Sequence, residues 1–490
     1  MSRAEWVSGL LALILALLHL VLAPNSGTDL AAQLGRASFA RVAPLTPVDL
    51  SWYSGIHPFG YSLLSPWIMA TFGVAIPGIL AAVATAVLLA RLLRGSRWAI
   101  ASGALGAVFA VGDVVDGRTT FALAAVALLA AVLLSERRGW AACCAVISAL
   151  LSPVAAMFLG LIAAVLVLHR RPGGWTLGLA ATLPVLALAL LFPVGGVQPF
   201  SVRSASFGLL VAGLVVVLTG VSVVRTGALL YAGAILLLVA IDDPIGSNIL
   251  RLGLLVAAPV LLSTLRRQTL VGVLAVAGIL VWQVAPILSD LRAQPGPHLE
   301  AMTGELVALG SFRAEVVAPR GHLESWIVAE QVPLARGWNR QIDVRDNPIF
   351  YRDNLTAHDY LAWLHDQAVD HVAVPRTAPV DFGSARELVL LRQRVAGLTR
   401  VWSDRDWTVY AVDEPRSIAG GAATVRSFTR TSLTVSSPAA GDVELSIRWS
   451  HWLTVTGPGC VWTDGRHVKV RFSKPGTVVV GSSLLPSGHC

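Results

Sequence analysis

The chain has 490 residues, 55% of them hydrophobic and 13% charged, with a mean hydropathy of +0.69. A water-soluble domain of that length does not carry so much apolar sequence, so the composition excludes a soluble enzyme and reads as a polytopic membrane protein. The formal charge of +8 is almost wholly arginine, lysine occurring only at Lys469 and Lys474; many arginines sit at the ends of apolar runs, where they set topology, and the charge does not point to nucleic acid.

The first apolar run, 5–23, leads into "VLAPNSGTD", which lacks a small-x-small cleavage site. It reads as a retained helix and not as a signal peptide. Further runs cover 61–93, 98–112, 119–134, 140–151, 153–168, 175–192, 205–224, 226–241, 251–264 and 269–288. The pair 140–151 and 153–168 is short for two crossings and reads as a hairpin of short helices about Pro153. Arginine clusters at Arg91/Arg94/Arg97, Arg137/Arg138, Arg170/Arg171, Arg225 and Arg266/Arg267 predict cytoplasmic connections and a cytoplasmic N-terminus. The remaining connections, 24–60, 113–118, 193–204 and 242–250, then face outward. They carry Asp29, Asp49, Asp113, Asp116, Asp242 and Asp243. Acids gathered on one side suggest a shared cavity, because charge at the bilayer boundary is costly unless solvated or paired.

From about Asp290 the sequence becomes polar. "GHLESWIVAEQ", "DYLAWLHDQAVDHVAVP" and "LVLLRQRVAGLTRVWSDRDWTVYAV" read as alternating helices and strands. From Ala422, "ATVRSFTRTSLTVSS", "DVELSIRW", "VKVRFS" and "GTVVVGSS" read as strands, with Asp464-Gly465 as a turn. The expected architecture is a polytopic α-helical membrane domain over 1–289 with about 11 membrane segments, the N-terminus inside and the C-terminus outside. An extracytoplasmic α/β domain over 290–418 and a β-rich module over 419–490 follow. Cys143 and Cys144 lie in an apolar run as packing residues; Cys460 and Cys490 lie in the outward tail and are candidates for a disulfide.

No Walker A loop, GxGxxG, HExxH, CxxC or GxSxG motif occurs, so neither nucleotide chemistry nor a zinc site is indicated. Attention falls on the outward polar segments. In "SGTDLAAQLGRASFAR", Leu30 and Leu34 stand one turn apart, as on a helix lying along the interface. Thr28 or Asp29 is placed to cap that helix, and Asp29 is also placed to act as a general base at a cavity mouth; the roles are compatible. In "VDLSWYSGIHPFGYSLLSP", Trp52, Tyr53, Phe59 and Tyr61 are either interface anchors or rings that stack on a sugar or headgroup. His57, ahead of Pro58, is either a hydrogen-bonding scaffold or a site residue. In "GDVVDGRTTFALA", Arg118 either pairs with Asp116, near Asp113, or holds a phosphate at the start of the next helix. In "DDPIGSNILRLG", Asp243-Pro244 starts a helix, while Asn248 and Arg251 enter the apolar run one turn apart. Arg251 needs a partner or a ligand at that depth.

This layout resembles the GT-C superfamily of membrane glycosyltransferases, of actinobacterial type. "SGTDL" occupies the position of that family's first-loop acid, "HPFGYSLLSP" is similar to its His-Pro-rich approach to the second helix, and "GDVVDGRTTFALA" looks like its polar turn before the fourth. The resemblance covers about residues 5–290. The chain departs from the family in lacking a paired acid signature in the first loop and a WWD-type motif in the tail. The resemblance implies a multi-pass plasma-membrane enzyme, an inverting transferase. It would move a sugar from a polyprenyl-phosphate donor to an envelope glycan, lipid or protein acceptor on the outer face. Asp29 is the implied base, and Arg118 and Arg251 the implied donor-phosphate ligands. Trp52, Tyr53, His57, Asp113, Asp116, Asp243 and Asn248 are the implied substrate contacts. No cofactor is certain; a divalent metal ion is an alternative to the arginines for stabilising the leaving phosphate.

A transporter or flippase for an envelope lipid or saccharide, and a non-catalytic assembly scaffold, stand as the alternatives. Two tail segments remain open between a sugar-binding and a structural role: "RGWNRQIDVRDNPIFYRDN", and the module bearing Trp449, Trp452 and Trp462.

Overall fold

The computed structural model describes residues 1–23, 27–267, 269–294, 296–465 and 467–490. Pro24 to Ser26, part of the loop singled out above, lie outside the described residues. The chain forms two compact units: Met1–Gln33 with Gly60–Ala293, and Leu34–Phe59 with Gln294–Cys490.

The first unit is built of helices. Among the described residues six are long and apolar enough to cross a membrane: Arg3–Leu22, Ala75–Leu92, Gly174–Leu191, Ser222–Ala240, Gly246–Thr264 and Leu270–Leu291. Ala99–Val115, Thr119–Leu133, Arg138–Leu151, Pro153–Leu168 and Val202–Leu218 are shorter apolar helices. The apolar run 61–93 is not one element. Ser65–Phe72 stops at Gly73, whose φ of +76° leaves the helical region, and Ala75–Leu92 begins afresh. Only Ser152, in extended backbone, separates Arg138–Leu151 from Pro153–Leu168, and Pro153 takes the first helical position.

Packing within this unit relies on small residues. Ala12, Ala16, Ala82, Ala86, Ala107 and Ala110 are all buried in one core, where Arg3–Leu22, Ala75–Leu92 and Ala99–Val115 meet. Lipid tails are as apolar as leucine, so helix association in a bilayer depends on close backbone approach, which small residues allow.

The connections bond to one another in sets. The Gln198 N–H donates to Asp243 O (2.8 Å), joining two of the connections expected to face outward. The Gly220 N–H donates to Thr264 O (2.7 Å) and the Arg266 N–H to Leu218 O (3.0 Å), joining two that lead into arginines.

In the second unit, β1 (Ala314–Val316), β2 (His371–Pro375), β3 (Leu398–Ser403) and β4 (Trp407–Val412) form a sheet in the order β1-β2-β4-β3. The β1–β2 pair is parallel and the other two pairs are antiparallel. Its core holds Phe350, Tyr360, Trp363, Leu364 and Val372, with Ala357–Asp366 as a principal covering helix. The remaining strands are β5 (Thr424–Phe428), β6 (Leu433–Ser437), β7 (Gly441–Leu445), β8 (Leu453–Thr456), β9 (Gly459–Thr463), β10 (Val468–Phe472) and β11 (Gly476–Ser482). They make a three-stranded sheet, β7-β10-β9, and a four-stranded sheet, β5-β6-β11-β8. Alternate residues of both sheets, including Leu433, Val435, Val443, Leu445, Val470 and Phe472, share one core, as the period of two requires. Cys460 on β9 is joined to Cys490 by a disulfide.

Segment 34–59 belongs to this second unit, whereas the sequence reading placed it in the membrane domain. Val48 and Leu50 are buried in the core of the β-rich module. The helix Leu30–Val42 begins in the first unit and ends in the second.

Candidate functional site

Asp29, Asp113, Asp116, Arg118 and Arg251 of the first unit converge at one place. Helix Ala99–Val115 ends at Asp116, and the turn Asp116–Gly117–Arg118 feeds helix Thr119–Leu133. The Arg118 N–H donates to Asp113 O (2.7 Å) and the Asp116 N–H to Gly112 O (2.9 Å), which fixes the turn. Residues 27–30 lie directly on it, and the Asp29 N–H donates to Asp116 O (3.1 Å). Two glycines allow this approach. A Cβ on Gly117 (φ +74°) would stand 2.4 Å from Leu30 N, and one on Gly27 (φ +113°) 2.6 Å from Val115 O.

The side chains then meet around Asp29. Its Oδ2 accepts from Arg251 Nη2 (3.0 Å) and from Arg118 Nε (3.4 Å). Arg118 Nη1 reaches Asp116 Oδ2 at 2.6 Å and lies 3.9 Å from Asp113 Oδ1. The Arg251 guanidinium lies 5.8 Å from the Phe121 ring centre. Asp29 is the most accessible of the group, its side chain 26% exposed against 17% for Arg118 and 15% for Arg251. Asp290, in the last turn of Leu270–Leu291, accepts from the Thr28 N–H (3.1 Å) and hydroxyl (3.3 Å). Thr120 Oγ1 donates to Gln33 Oε1 (2.6 Å) beside the same turn.

Chemically this is a partly open carboxylate held by two guanidiniums, with further carboxylates behind the first. It can attract a phosphate to its arginine edge and supply a proton acceptor beside it. Asp116 Oδ1 is buried and accepts no hydrogen bond among the described residues. Among the described residues no group of three or more His, Cys, Asp or Glu side chains is placed to hold a metal ion. Arg118 and Arg251 are the cations that pair with Asp29 at this site.

Other residues singled out in the sequence lie elsewhere or do other work. Trp52 and Tyr53 are 1% and 2% exposed inside the second unit. Trp52 Nε1 donates to Ser325 O (2.8 Å) and the Tyr53 hydroxyl to Gly337 O (2.6 Å). Their ring faces are committed to packing, which corrects the expected stacking on substrate. His57 Nε2 stands 2.8 Å from Ser450 Oγ in the same unit, a scaffold contact. Asp49 Oδ2 accepts from Arg430 Nη2 (3.2 Å). Asp243 Oδ1 accepts from the Ile245 and Gly246 N–H groups (2.6 and 2.9 Å), the capping role. Asn248 is half-buried in the 3-10 turn Gly246–Ile249 that precedes Arg251. Asp290, Thr120 and Gln33 were not anticipated; an aspartate in the final turn of an apolar helix was the available signal for the first.

The second unit has a buried polar network of its own. Arg336 forms a two-point pair with Asp343 (2.9 and 2.7 Å) and also reaches Glu387 (3.1 Å) and Glu315 (3.4 Å). Arg340 joins Asp381 (2.7 Å) to Tyr351 (2.9 Å), and His322 Nδ1 stands 3.2 Å from Glu324. Burial pushes the Glu387 carboxyl up to about 7, against the pull of Arg336, and also raises Glu315 well above its ordinary value, with Glu387 adding to the rise. Burial opposes the charge on Asp381, but hydrogen bonding and charge from His322, with Arg340, hold it far below the usual carboxylate range.

No protein-family model matches the chain, and comparison with curated proteins and with solved structures finds no similar protein.

Proposed function

We propose that the chain is a membrane glycosyltransferase of GT-C type, working on the outer face of the plasma membrane. It would move a sugar from a polyprenyl-phosphate donor to an envelope glycan, lipid or protein acceptor. The observation that carries this reading is the meeting of Arg118 and Arg251 on one oxygen of Asp29. In the proposed reaction the donor phosphate enters between the guanidiniums and takes over the hydrogen bonds that Asp29 holds. Asp29 Oδ2, released, accepts the proton of an acceptor hydroxyl. That oxygen attacks the anomeric carbon as the bond to the phosphate oxygen breaks. The lipid phosphate leaves with the electron pair, stabilised by Arg118 and Arg251. One displacement inverts the anomeric centre.

The proposed topology has about 11 membrane segments, the N-terminus inside and the C-terminal unit outside. It is supported by the sorting of connections. Those bearing Asp29, Asp116 and the approach to Arg251 come together. Those leading into Arg225 and Arg266 bond to each other.

The completeness of the pairing favours a second reading. Both guanidiniums already have carboxylate partners, as a structural latch between three connections would. That suits a scaffold or a transporter. A density map of the chain in a lipid nanodisc with polyprenyl phosphate separates the two. The transferase reading expects phosphate within hydrogen-bonding distance of both Arg118 and Arg251, with Asp29 displaced from them. Phosphate bound elsewhere, with the three side chains still paired, contradicts it.

A further inference from the structure

Two stretches of the β-rich module come together beyond one end of its strands. Residues 449–452 precede β8, and residues 483–487 follow β11. The Ser483 N–H donates to Trp452 O (3.0 Å), so the two stretches lie side by side. The second is held at both ends, because the Val455 N–H donates to Ser487 O (3.2 Å) and Cys490 is bonded to Cys460. Within it the Leu485 N–H donates to Ser483 Oγ (3.1 Å). This anchored loop turns leucine outward. Leu485 is 85% and Leu484 39% exposed, and Pro486 is exposed as well. The half-buried Trp452 stands at its shoulder, with the exposed His451 ring 4.4 Å away between ring centres.

A single exposed leucine is ordinary, whereas adjacent ones on a fixed loop beside tryptophan form a patch that calls for a partner. Composition and the path of the chain say which. No Asp, Glu, Lys or Arg occurs in 449–463 or 475–490, so covering the patch strips water from no charged side chain of these segments. His57 Nε2 stands 2.8 Å from Ser450 Oγ, and its ring centre is 6.4 Å from that of His451. Three residues further on, at Gly60, the chain passes into the unit that holds the apolar helices. Three residues span at most about 11 Å. The covalent chain thus ties this end of the module to a segment on its way into the apolar unit.

We propose that loop 483–487 docks on the surface of the lipid bilayer, with Leu484 and Leu485 entering the boundary between headgroups and acyl chains. Interfacial segments bury their apolar face by about 5–10 Å, enough to cover both leucines. Trp452, a large apolar ring with one N–H, suits the headgroup level above them. The docking requires only that the helical unit lie in a membrane, and it does not depend on the transferase reading.

The test uses the full-length chain in nanodiscs of phosphatidylcholine and phosphatidylglycerol, with Cys143→Ser and Cys144→Ser and the Cys460–Cys490 bridge kept oxidised. Leu485→Cys carries an environment-sensitive fluorophore, and Leu484→Cys serves if that variant does not fold. Ala440→Cys is the reference: it lies in the exposed connection between β6 and β7, past the opposite end of β11. Lipids bearing a nitroxide just below the headgroup should quench the label at 485 about twofold or more beyond the label at 440, and the emission at 485 should lie to the blue. Moving the nitroxide to the end of the acyl chain should weaken the quenching. Equal quenching at the two positions overturns the proposal. A blue-shifted label at 485 that nitroxide lipids leave unquenched also overturns it, and assigns the loop to a protein surface instead.

Discussion

Asp290 Oδ2 accepts two hydrogen bonds from Thr28, one from the backbone N–H at 3.1 Å and one from the hydroxyl at 3.3 Å, across 262 residues of sequence. Thr28 immediately precedes Asp29, whose own N–H is bonded to Asp116 O. The turn that presents Asp29 is therefore fixed from two sides. Hydrogen bonds to a charged acceptor contribute about 1.5–3 kcal/mol. Asp290→Ala should lower the thermal stability of the detergent-solubilised chain by that order, while Asp290→Asn, which keeps one oxygen, should cost less. Equal stability of Asp290→Ala and the unaltered chain would show that the turn is held by other means.

The two arginines differ in how much they hold together. Arg118 engages Asp29 and Asp116 and approaches Asp113, whereas among the described residues Arg251 has Asp29 as its carboxylate partner. The two side chains are about equally buried, 17% and 15% exposed, so the number of carboxylates each leaves without its partner decides the order. Arg118→Gln should thus depress the melting temperature more than Arg251→Gln. The reverse order, read by a dye-based thermal shift, would contradict this distribution of charge.

The buried carboxyls of the second unit make opposite predictions in two pH windows, both on the acid side of neutrality. Asp381 has a depressed value in the fold, so its contribution is present above the ordinary aspartate range and is lost only as pH falls far into acid. Glu387 has a raised value, so its contribution is full below the ordinary glutamate range and is lost as pH rises to about 7. Stability of this unit should rise with pH through the acid window of Asp381 and decline from the ordinary glutamate range to about pH 7. Glu387→Gln, which cannot ionise, should flatten the decline. A melting temperature that rises over the same window in the unaltered chain would be inconsistent with the burial of Glu387.

Cys460 and Cys490 close a loop with a sequence separation of 30. On the chain-entropy argument such a bridge contributes about 3–4 kcal/mol. Cys460→Ser with Cys490→Ser should lower the unfolding midpoint of the β-rich module, and non-reduced peptide mapping should recover the linked pair. Recovery of two free thiols from oxidised protein would exclude the bridge.

Charge in an apolar setting was the most legible feature of the sequence. Asp29, Arg118 and Arg251 stood out because each interrupts or borders an apolar run, and they meet in the structure. Period-two alternation likewise exposed the strands of the β-rich module, such as Val468–Phe472 with its alternating burial. What escaped detection depends on distance along the chain. Trp52 and Tyr53 looked like interface anchors or substrate-stacking rings because a ring in a loop next to an apolar run has no local mark of burial. Their partners, Ser325 and Gly337, are more than 270 residues away. The Thr28–Asp290 pair was hidden for the same reason. The break at Gly73 was hidden because hydropathy is insensitive to φ, and the residues on either side are equally apolar.

The most direct test of the central claim is transfer of sugar from a polyprenyl-phosphate donor in proteoliposomes containing the chain or its Asp29→Asn variant. Asparagine preserves the size of the side chain and an acceptor oxygen for the arginines, but it cannot take the acceptor's proton. General-base contributions run to roughly 100-fold or more. The account predicts transfer by the unaltered chain and a loss of that order in the variant, with the variant still folded. Unchanged transfer by Asp29→Asn would contradict the role given to Asp29, and absence of transfer by the unaltered chain across a panel of polyprenyl-phosphate sugars would contradict the transferase reading itself.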